Sequence, residues 1–197
     1  MVKRCFDILF SFVGVLLTAP FFLLVAIIIK LSSKGPIFFR QTRIRKGGVE
    51  FKIIKFRTMI VDAEKFGGQI TPSNDPRITT IGKLLRKTKL DELPQLINVL
   101  LGEMSLVGPR PEVPHYVNLY TPDQQKVIDL VPGITDPASI KYSNEGEILA
   151  ASSDPEKAYI DSIMPEKIRM NLEYAAKANI FTDMGVILKT LARVVSS

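Results

Sequence analysis

The chain has 197 residues, 46% of them hydrophobic, and a formal charge of +6, with one cysteine, one histidine and no tryptophan. That length suits one domain with a real core, and the basic, apolar balance points to a membrane surface, a nucleic acid or a phosphorylated ligand. A lone Cys5 excludes an intramolecular disulfide and a lone His115 excludes a multi-histidine metal cluster, while 8% aromatics without tryptophan argue against a base-stacking surface and hence against nucleic acid as a partner. Any metal must then be held mainly by oxygen, which favours Mg2+, with Mn2+ as the substitute.

Cys5 to Ile29 is apolar apart from Asp7. About 25 such residues are enough to cross a bilayer as a helix, and too many for the core of a signal peptide. Pro20 lacks an N–H and crowds the carbonyl of Leu16, so the helix is expected to kink or break there, with Thr18 able to bond back to a freed carbonyl. Lys3 and Arg4 precede the run; Lys30, Lys34, Arg40, Arg43, Arg45 and Lys46 follow it. Positive flanks on both sides favour two cytoplasmic ends, hence a helix that enters and leaves one leaflet, with an ordinary kinked span as the alternative. Asp7 is spaced to pair with Lys3 and Arg4 along the helix.

Residues 37–43 and 51–56 read as two short strands joined at Gly47-Gly48, their basic residues suited to anionic lipid headgroups. Residues 62–77 read as a polar loop. Ile78, Ile81, Leu84 and Leu85 recur at helical spacing with Lys83, Arg86 and Lys87 on other faces, a pattern that fits a helix on a membrane or one packed on the core. A further helix is expected from about Asp91 to Leu101, since Pro94 is tolerated only in a first turn. Residues 102–114 read as a proline-punctuated loop, and 121–131 as a short helix capped by Thr121 with Pro122 first. The segment 132–140 reads as a loop, 155–181 as helix interrupted at Pro165, and 182–195 as a closing amphipathic helix. The fold class is α+β, mainly helical: an N-terminal membrane helix, interfacial amphipathic helices and a small β-hairpin.

Adjacent helical residues project about 100° apart. Asp91 and Glu92 therefore cannot act as a same-face acid pair, but they can do two jobs around one ligand. One carboxylate can attack phosphorus, and the other can hold Mg2+ bridging phosphate oxygens. Acids in a first turn also occur purely as complements of the helix dipole, and both readings fit the pattern. Arg110, between Pro109 and Pro111, is a guanidinium on a stiffened backbone, suited to bidentate phosphate contact. Lys55, Arg57 and Arg86 are further candidates.

The segments "KRCFDILFS", "FKIIKFRTM", "NDPRITTIGKLLRKTKLDELPQLINVLLGEMSLVGPRP" and "PGIT", with "FTDMGVILKTL" near the C-terminus, make the chain resemble the bacterial sugar transferases of the monotopic phosphoglycosyl transferase superfamily, in their minimal length. The resemblance implies transfer of a sugar phosphate from a UDP-sugar to polyprenyl (undecaprenyl) phosphate with release of UMP, the first membrane step of glycoconjugate synthesis. It implies Asp91 as nucleophile in a covalent phosphosugar intermediate, Glu92 as the Mg2+ ligand, and Lys55, Arg86 and Arg110 as basic residues of the site. It further implies a re-entrant helix over residues 1–31 broken at Pro20, and a catalytic domain over 32–197 on the cytoplasmic face of the bacterial inner membrane. Two departures stand out. Ala19 replaces the serine that usually precedes the breaking proline, leaving Thr18 as the nearby hydroxyl. After "PGIT", Asp136-Pro137-Ala138-Ser139 replaces the usual Gly-Trp-Ala-Gln. The rival readings are a membrane-bound nucleotide-sugar phosphohydrolase and a non-enzymatic lipid-binding scaffold. Sugar identity and oligomeric state leave no mark in the sequence.

Overall fold

The computed structural model describes residues 2–68 and 70–195. It begins with helix α1, Val2–Ser32, of 31 residues. An 18-residue window of α1 has a mean hydropathy of 2.8, and only 11% of that window is buried. The covered residues lie on one stripe: Asp7, Ser11, Val25 and Ile29 are buried, and Gly14 packs against Leu96. The opposite face, including Leu9, Phe12, Leu16, Leu17, Leu23, Leu24 and Leu31, stays open. A helix with one apolar face packed and a second apolar face bare is built for an apolar solvent on its outer side.

Polar side chains fasten the start of α1. Lys3 pairs with Asp183 and donates to the Val107 carbonyl; Arg4 donates to the carbonyls of Val99 and Leu100. Asp7 does not pair with Lys3 or Arg4, as helical spacing suggested. It accepts from Ser105 Oγ at 3.0 Å and from the Leu106 N–H at 3.1 Å, because these long-range donors sit directly against the buried stripe. The far end is fastened by packing, with Val25 and Ile29 clustered on Phe56 and Leu85. α1 is helical on both sides of Pro20 without interruption, so the helix does not end at Pro20 as the sequence suggested, and Pro20 lies on the open face. Thr18 Oγ1 donates to the Gly14 carbonyl at 2.7 Å rather than to the Leu16 carbonyl that Pro20 deprives of its donor.

Strands β1 (Phe38–Arg45) and β2 (Val49–Phe56) form the expected hairpin, paired from Phe38↔Phe56 to Arg45↔Val49. Gly47 and Gly48 both take positive φ in the turn. Helix α2 (Thr80–Lys87) is capped by Thr79, whose hydroxyl accepts from the Gly82 N–H at 3.0 Å. It buries Leu85 in the core and leaves Leu84 outside, so the amphipathic pattern serves packing on one side. A single 3-10 turn, Leu90–Glu92, precedes helix α3 (Gln95–Leu101), so the acids stand just ahead of the α-helix and not in its first turn.

Two three-residue strands, β3 (Ser105–Val107) and β4 (Gly133–Thr135), pair in parallel within segments whose sequence reads as loop. Gly108 and Gly133 meet backbone to backbone, and a side chain at Gly133 would drive into the Gly108 N–H. Helix α4 (Pro114–Val117) and a 3-10 turn (Gln124–Asp129) lie between these strands. Asp136 is fully buried and caps helix α5 (Pro137–Lys141), accepting from the Ser139 N–H at 2.9 Å and Ser139 Oγ at 2.7 Å. The Asp136–Ser139 departure is thus a helix start in its own right. Helices α6 (Glu145–Ala150), α7 (Pro155–Ala158), α8 (Met164–Ala175) and α9 (Ile180–Val195) complete the chain. A π turn, Tyr159–Ile163, joins α7 to α8, with the Met164 N–H donating to the Tyr159 carbonyl just ahead of Pro165. The main core gathers Val113, Tyr116, Val127, Leu149, Tyr159, Ile163, Met164 and Ile168. The architecture is mainly helical α+β, as the sequence implied.

Candidate active site

A cleft of about 1810 Å³ is lined by Lys55, Arg86, Asp91, Glu92 and Arg110 together. Each arrives from a different element. Lys55 continues the inward row of Phe51 and Ile53 along β2, which forces an ammonium into a half-buried place. Arg86 projects from the last turn of α2, its Nε donating to Thr58 Oγ1 at 2.9 Å. Asp91 and Glu92 sit in the 3-10 turn, entered through Lys89 with a left-handed φ of 55°. Arg110 follows β3.

The two acids have opposite surroundings. Glu92 is paired with two cations: Lys55 Nζ donates to Oε1 at 3.1 Å, Arg110 Nη1 donates to Oε2 at 2.8 Å, and Arg110 Nη2 donates to Oε1. Asp91 is 6% exposed, and its Oδ1 is buried with no hydrogen-bond partner among the described residues. Burial, then the neighbouring Glu92 charge, pushes the Asp91 carboxyl up to about 6, against the pull of Lys55, Arg86 and Arg110. Burial also opposes ionisation of Glu92, yet Arg110 and Lys55 hold it well below the usual range. Burial brings the Lys55 ammonium down to about 8, partly offset by Glu92. Glu92 raises Arg110 further above its already high value. One carboxylate is therefore locked and charged. The other is dehydrated, undonated and close to titrating, the condition of an activated nucleophile.

A profile of the bacterial sugar transferase family matches residues 1–197. The chain belongs to that family. It is 40% identical over 151 residues to a putative undecaprenyl-phosphate N-acetylgalactosaminyl 1-phosphate transferase of Bacillus subtilis, covering 74% of this chain and 80% of that protein. It is 38% identical over 201 residues to the exopolysaccharide production protein PSS of Rhizobium leguminosarum, covering 97% and 94%. It is 34% identical over 195 residues to a UDP-N-acetylgalactosamine-undecaprenyl-phosphate N-acetylgalactosaminephosphotransferase of Aeromonas hydrophila, covering 99% of this chain but only 44% of that longer protein.

In this bacterial sugar transferase, four of the six basic and acidic candidates converge as ion-paired or closely facing groups, and Arg86, held by Thr58, lines the same cleft. Arg57 does not join. Its Nη1 donates to the Lys34 carbonyl at 2.6 Å, and Nη2 to the Ser33 carbonyl at 2.9 Å and Ser33 Oγ at 2.8 Å. It caps the end of α1, where Gly35 takes a φ of +122° and any side chain would strike this guanidinium. Sequence reasoning missed a second polar layer of the cleft. Glu112 accepts from Arg43 Nη1 at 3.2 Å and from Tyr159 OH, and Lys167 pairs with Glu145 at 2.8 Å. The only local signal was Glu112 two residues beyond Arg110; Tyr159 comes from a distant element.

Proposed function

We propose that this chain is a phosphoglycosyl transferase that moves a sugar phosphate from a UDP-sugar to undecaprenyl phosphate. The observation that carries the reading is the bare, buried Oδ1 of Asp91 beside a Glu92 clamped by Arg110 and Lys55. An Asp91 oxygen attacks the sugar-bearing phosphorus of the donor. The bond from that phosphorus to the bridging oxygen breaks, and UMP leaves with the electron pair. An oxygen of the lipid phosphate then attacks the same phosphorus, the bond to Asp91 breaks, and the carboxylate is restored as the polyprenyl diphosphate sugar departs. Lys55, Arg86 and Arg110 offset the charge on the phosphoryl oxygens. Covalent capture lets an aqueous donor and a membrane acceptor use one site in turn.

The donor set fits a hard divalent cation. It offers carboxylate oxygen from Asp91 and Glu92, with no histidine or thiol beside them, and Mg2+ takes one or two carboxylates, keeps waters and completes its shell from phosphates. Glu92 retains lone-pair capacity on Oε2 and would hold the ion. When bound, the ion supplies charge neutralisation for the diphosphate. Because both ends of α1 are fastened to the same domain, the reading places α1 as a re-entrant helix in the inner membrane, with the cleft on the cytoplasmic face. Mass spectrometry of the intact protein after addition of a UDP-sugar, with no lipid, tests the chemistry. A stoichiometric phosphosugar adduct and one equivalent of UMP are expected with the wild type and neither with Asp91→Asn. Continuous release of sugar phosphate would instead mark a hydrolase, and no donor turnover with either lipid present or absent would mark a scaffold.

A further inference from the structure

The cleft has two unlike ends. Away from α1 polar groups, Ser139, Asn144, Glu145 and Lys167, are set among apolar core residues such as Leu149 and Met164. Towards α1 runs an apolar strip, Pro36, Ile37 and Phe38 on one side and Met59, Ile60 and Val61 on another, with Arg40, Asp62 and Lys65 beside it. This apolar end is continuous with the packed face of the membrane helix. Val25 and Ile29 of α1 lie in one cluster with Phe56 and Leu85, and Ile37, Phe38 and Leu90 pack against that cluster. Leu90 is followed directly by Asp91.

Ile60 and Val61 are large apolar side chains left 45% and 47% exposed at this end. They are held there. The Thr79 N–H donates to the Thr58 carbonyl at 2.9 Å, and the Ile60 N–H donates to the Arg77 carbonyl at 3.0 Å. Arg77 is itself buried against Asp75. Val61 sits over Gly35, where the chain leaves α1: a Cβ there would lie 2.6 Å from Val61 Cγ2. The exposed pair thus borders the end of the membrane helix and the mouth of the cleft together.

The cations are divided in the same way. Arg110 and Lys55 are committed to Glu92, whereas Arg86 has no carboxylate partner among the described residues and is aimed by Thr58. Lys83 and Lys87, one turn apart on α2, line the same mouth, exposed and without an ion pair among the described residues. An apolar ramp that ends in unpaired cations is complementary to an amphiphile with a long hydrocarbon tail and a phosphate head, and not to a water-soluble nucleotide.

We infer that the gap between the end of α1 and the Ile60–Val61 segment is the entry for the lipid acceptor, whose tail lies on Ile60, Val61 and Phe38 while Arg86, with Lys83 and Lys87 at the rim, receives its phosphate. The inference rests on the transferase reading and divides that site into a donor side at Arg110 and an acceptor side at Arg86. The two half-reactions separate the two claims. Val61→Glu and Ile60→Glu place a charge on an exposed surface, so folding and the donor step are preserved: adduct formation from UDP-sugar stays within about twofold of wild type. Discharge of the adduct by undecaprenyl phosphate in detergent micelles falls at least about tenfold in kcat/KM, the equivalent of one lost apolar contact, and discharge by a phosphate carrying a single isoprene unit falls much less. Val61→Leu retains wild-type discharge. Equal discharge of the long acceptor by Val61→Glu and wild type overturns the entry path. So does a matching loss in adduct formation, or a loss that is the same for long and short acceptors. Absence of any adduct in the wild type would instead defeat the transferase reading.

Discussion

Arg110 closes a fork on Glu92, one Nη on each carboxylate oxygen, with Lys55 added on Oε1, while the adjacent Asp91 keeps its buried Oδ1 without a donor among the described residues. Two neighbouring acids of identical chemistry are sorted into a fixed anion and a free one by which of them the guanidinium reaches. That sorting has measurable consequences.

Arg110→Lys keeps a positive charge but cannot make the fork. Adduct formation is expected to drop about 10²-fold, the scale of losing one preorganised phosphate-oxygen contact. Arg110→Ala leaves a half-buried Glu92 with Lys55 alone and should cost about 2 kcal/mol in urea unfolding; this is below the usual loss for a fully buried pair because Arg110 keeps 29% of its side chain exposed. Wild-type rates with Arg110→Lys would show that charge without geometry suffices.

Titration gives the second expectation. Asp91 must be ionised to attack, and burial beside Glu92 brings its carboxyl up to about 6. The ionised fraction grows as pH rises through that value, so adduct formation should climb over about pH 5 to 7. Lys55, lowered by burial to about 8, loses its charge as pH rises past that value, so the rate should fall again on the alkaline side. In stability the sign for Asp91 is the reverse: the folded state holds that proton more tightly than the unfolded chain, so this group favours folding below its usual carboxylate range and ceases to as pH rises through about 6. Single-turnover rates from pH 5 to 9 check the profile. Lys55→Arg should remove the alkaline limb and keep the acidic one; a limb that survives in this variant belongs to another group.

Much of this was legible because it is local. The apolar run of α1, the Gly47-Gly48 turn and the apolar spacing of α2 each follow from a few neighbouring residues, and the Asp91-Glu92 pair with Arg110 stands out by composition. The pairing of β3 with β4 did not, since three-residue strands have too little alternation to read and their register is set by the close meeting of Gly108 and Gly133 across the chain. Asp7 differs for the same reason: helical spacing offers Lys3 and Arg4, but tertiary packing supplies Ser105 and Leu106 instead. The difference between Asp91 and Glu92 is likewise invisible in sequence, because it depends on where Arg110 and Lys55 converge.

Metal dependence provides a third test. With carboxylate oxygens beside the phosphates as the proposed donors, excess EDTA should abolish adduct formation, Mg2+ should restore it fully and Mn2+ in part. Glu92→Gln should fold, as judged by circular dichroism, but lose activity that added Mg2+ does not rescue. Undiminished adduct formation in EDTA would remove the ion from the reaction.

The last expectation concerns α1. A 31-residue helix is about 46 Å long, enough to cross a bilayer. Yet its start is tied through Lys3 to Asp183, through Arg4 to the Val99 and Leu100 carbonyls and through Asp7 to β3, while Val25 and Ile29 at its other end pack on Phe56 and Leu85. A full span would leave one of these ends on the far side of the membrane, break its contacts and strand Asp7 without donors in hydrocarbon. Single cysteines at position 2 and in the Gly47-Gly48 loop, in a Cys5→Ala background, report the outcome. A membrane-impermeant maleimide should label neither in intact cells and both after lysis. Since tertiary contacts and not Pro20 alone hold the two ends together, Pro20→Leu should leave position 2 protected. Lys3→Ala with Arg4→Ala removes both the ties and the cytoplasmic charge, and should move position 2 towards external labelling. External labelling of position 2 in the otherwise unaltered protein would mean that α1 spans the membrane and that its contacts with the domain do not form in the cell.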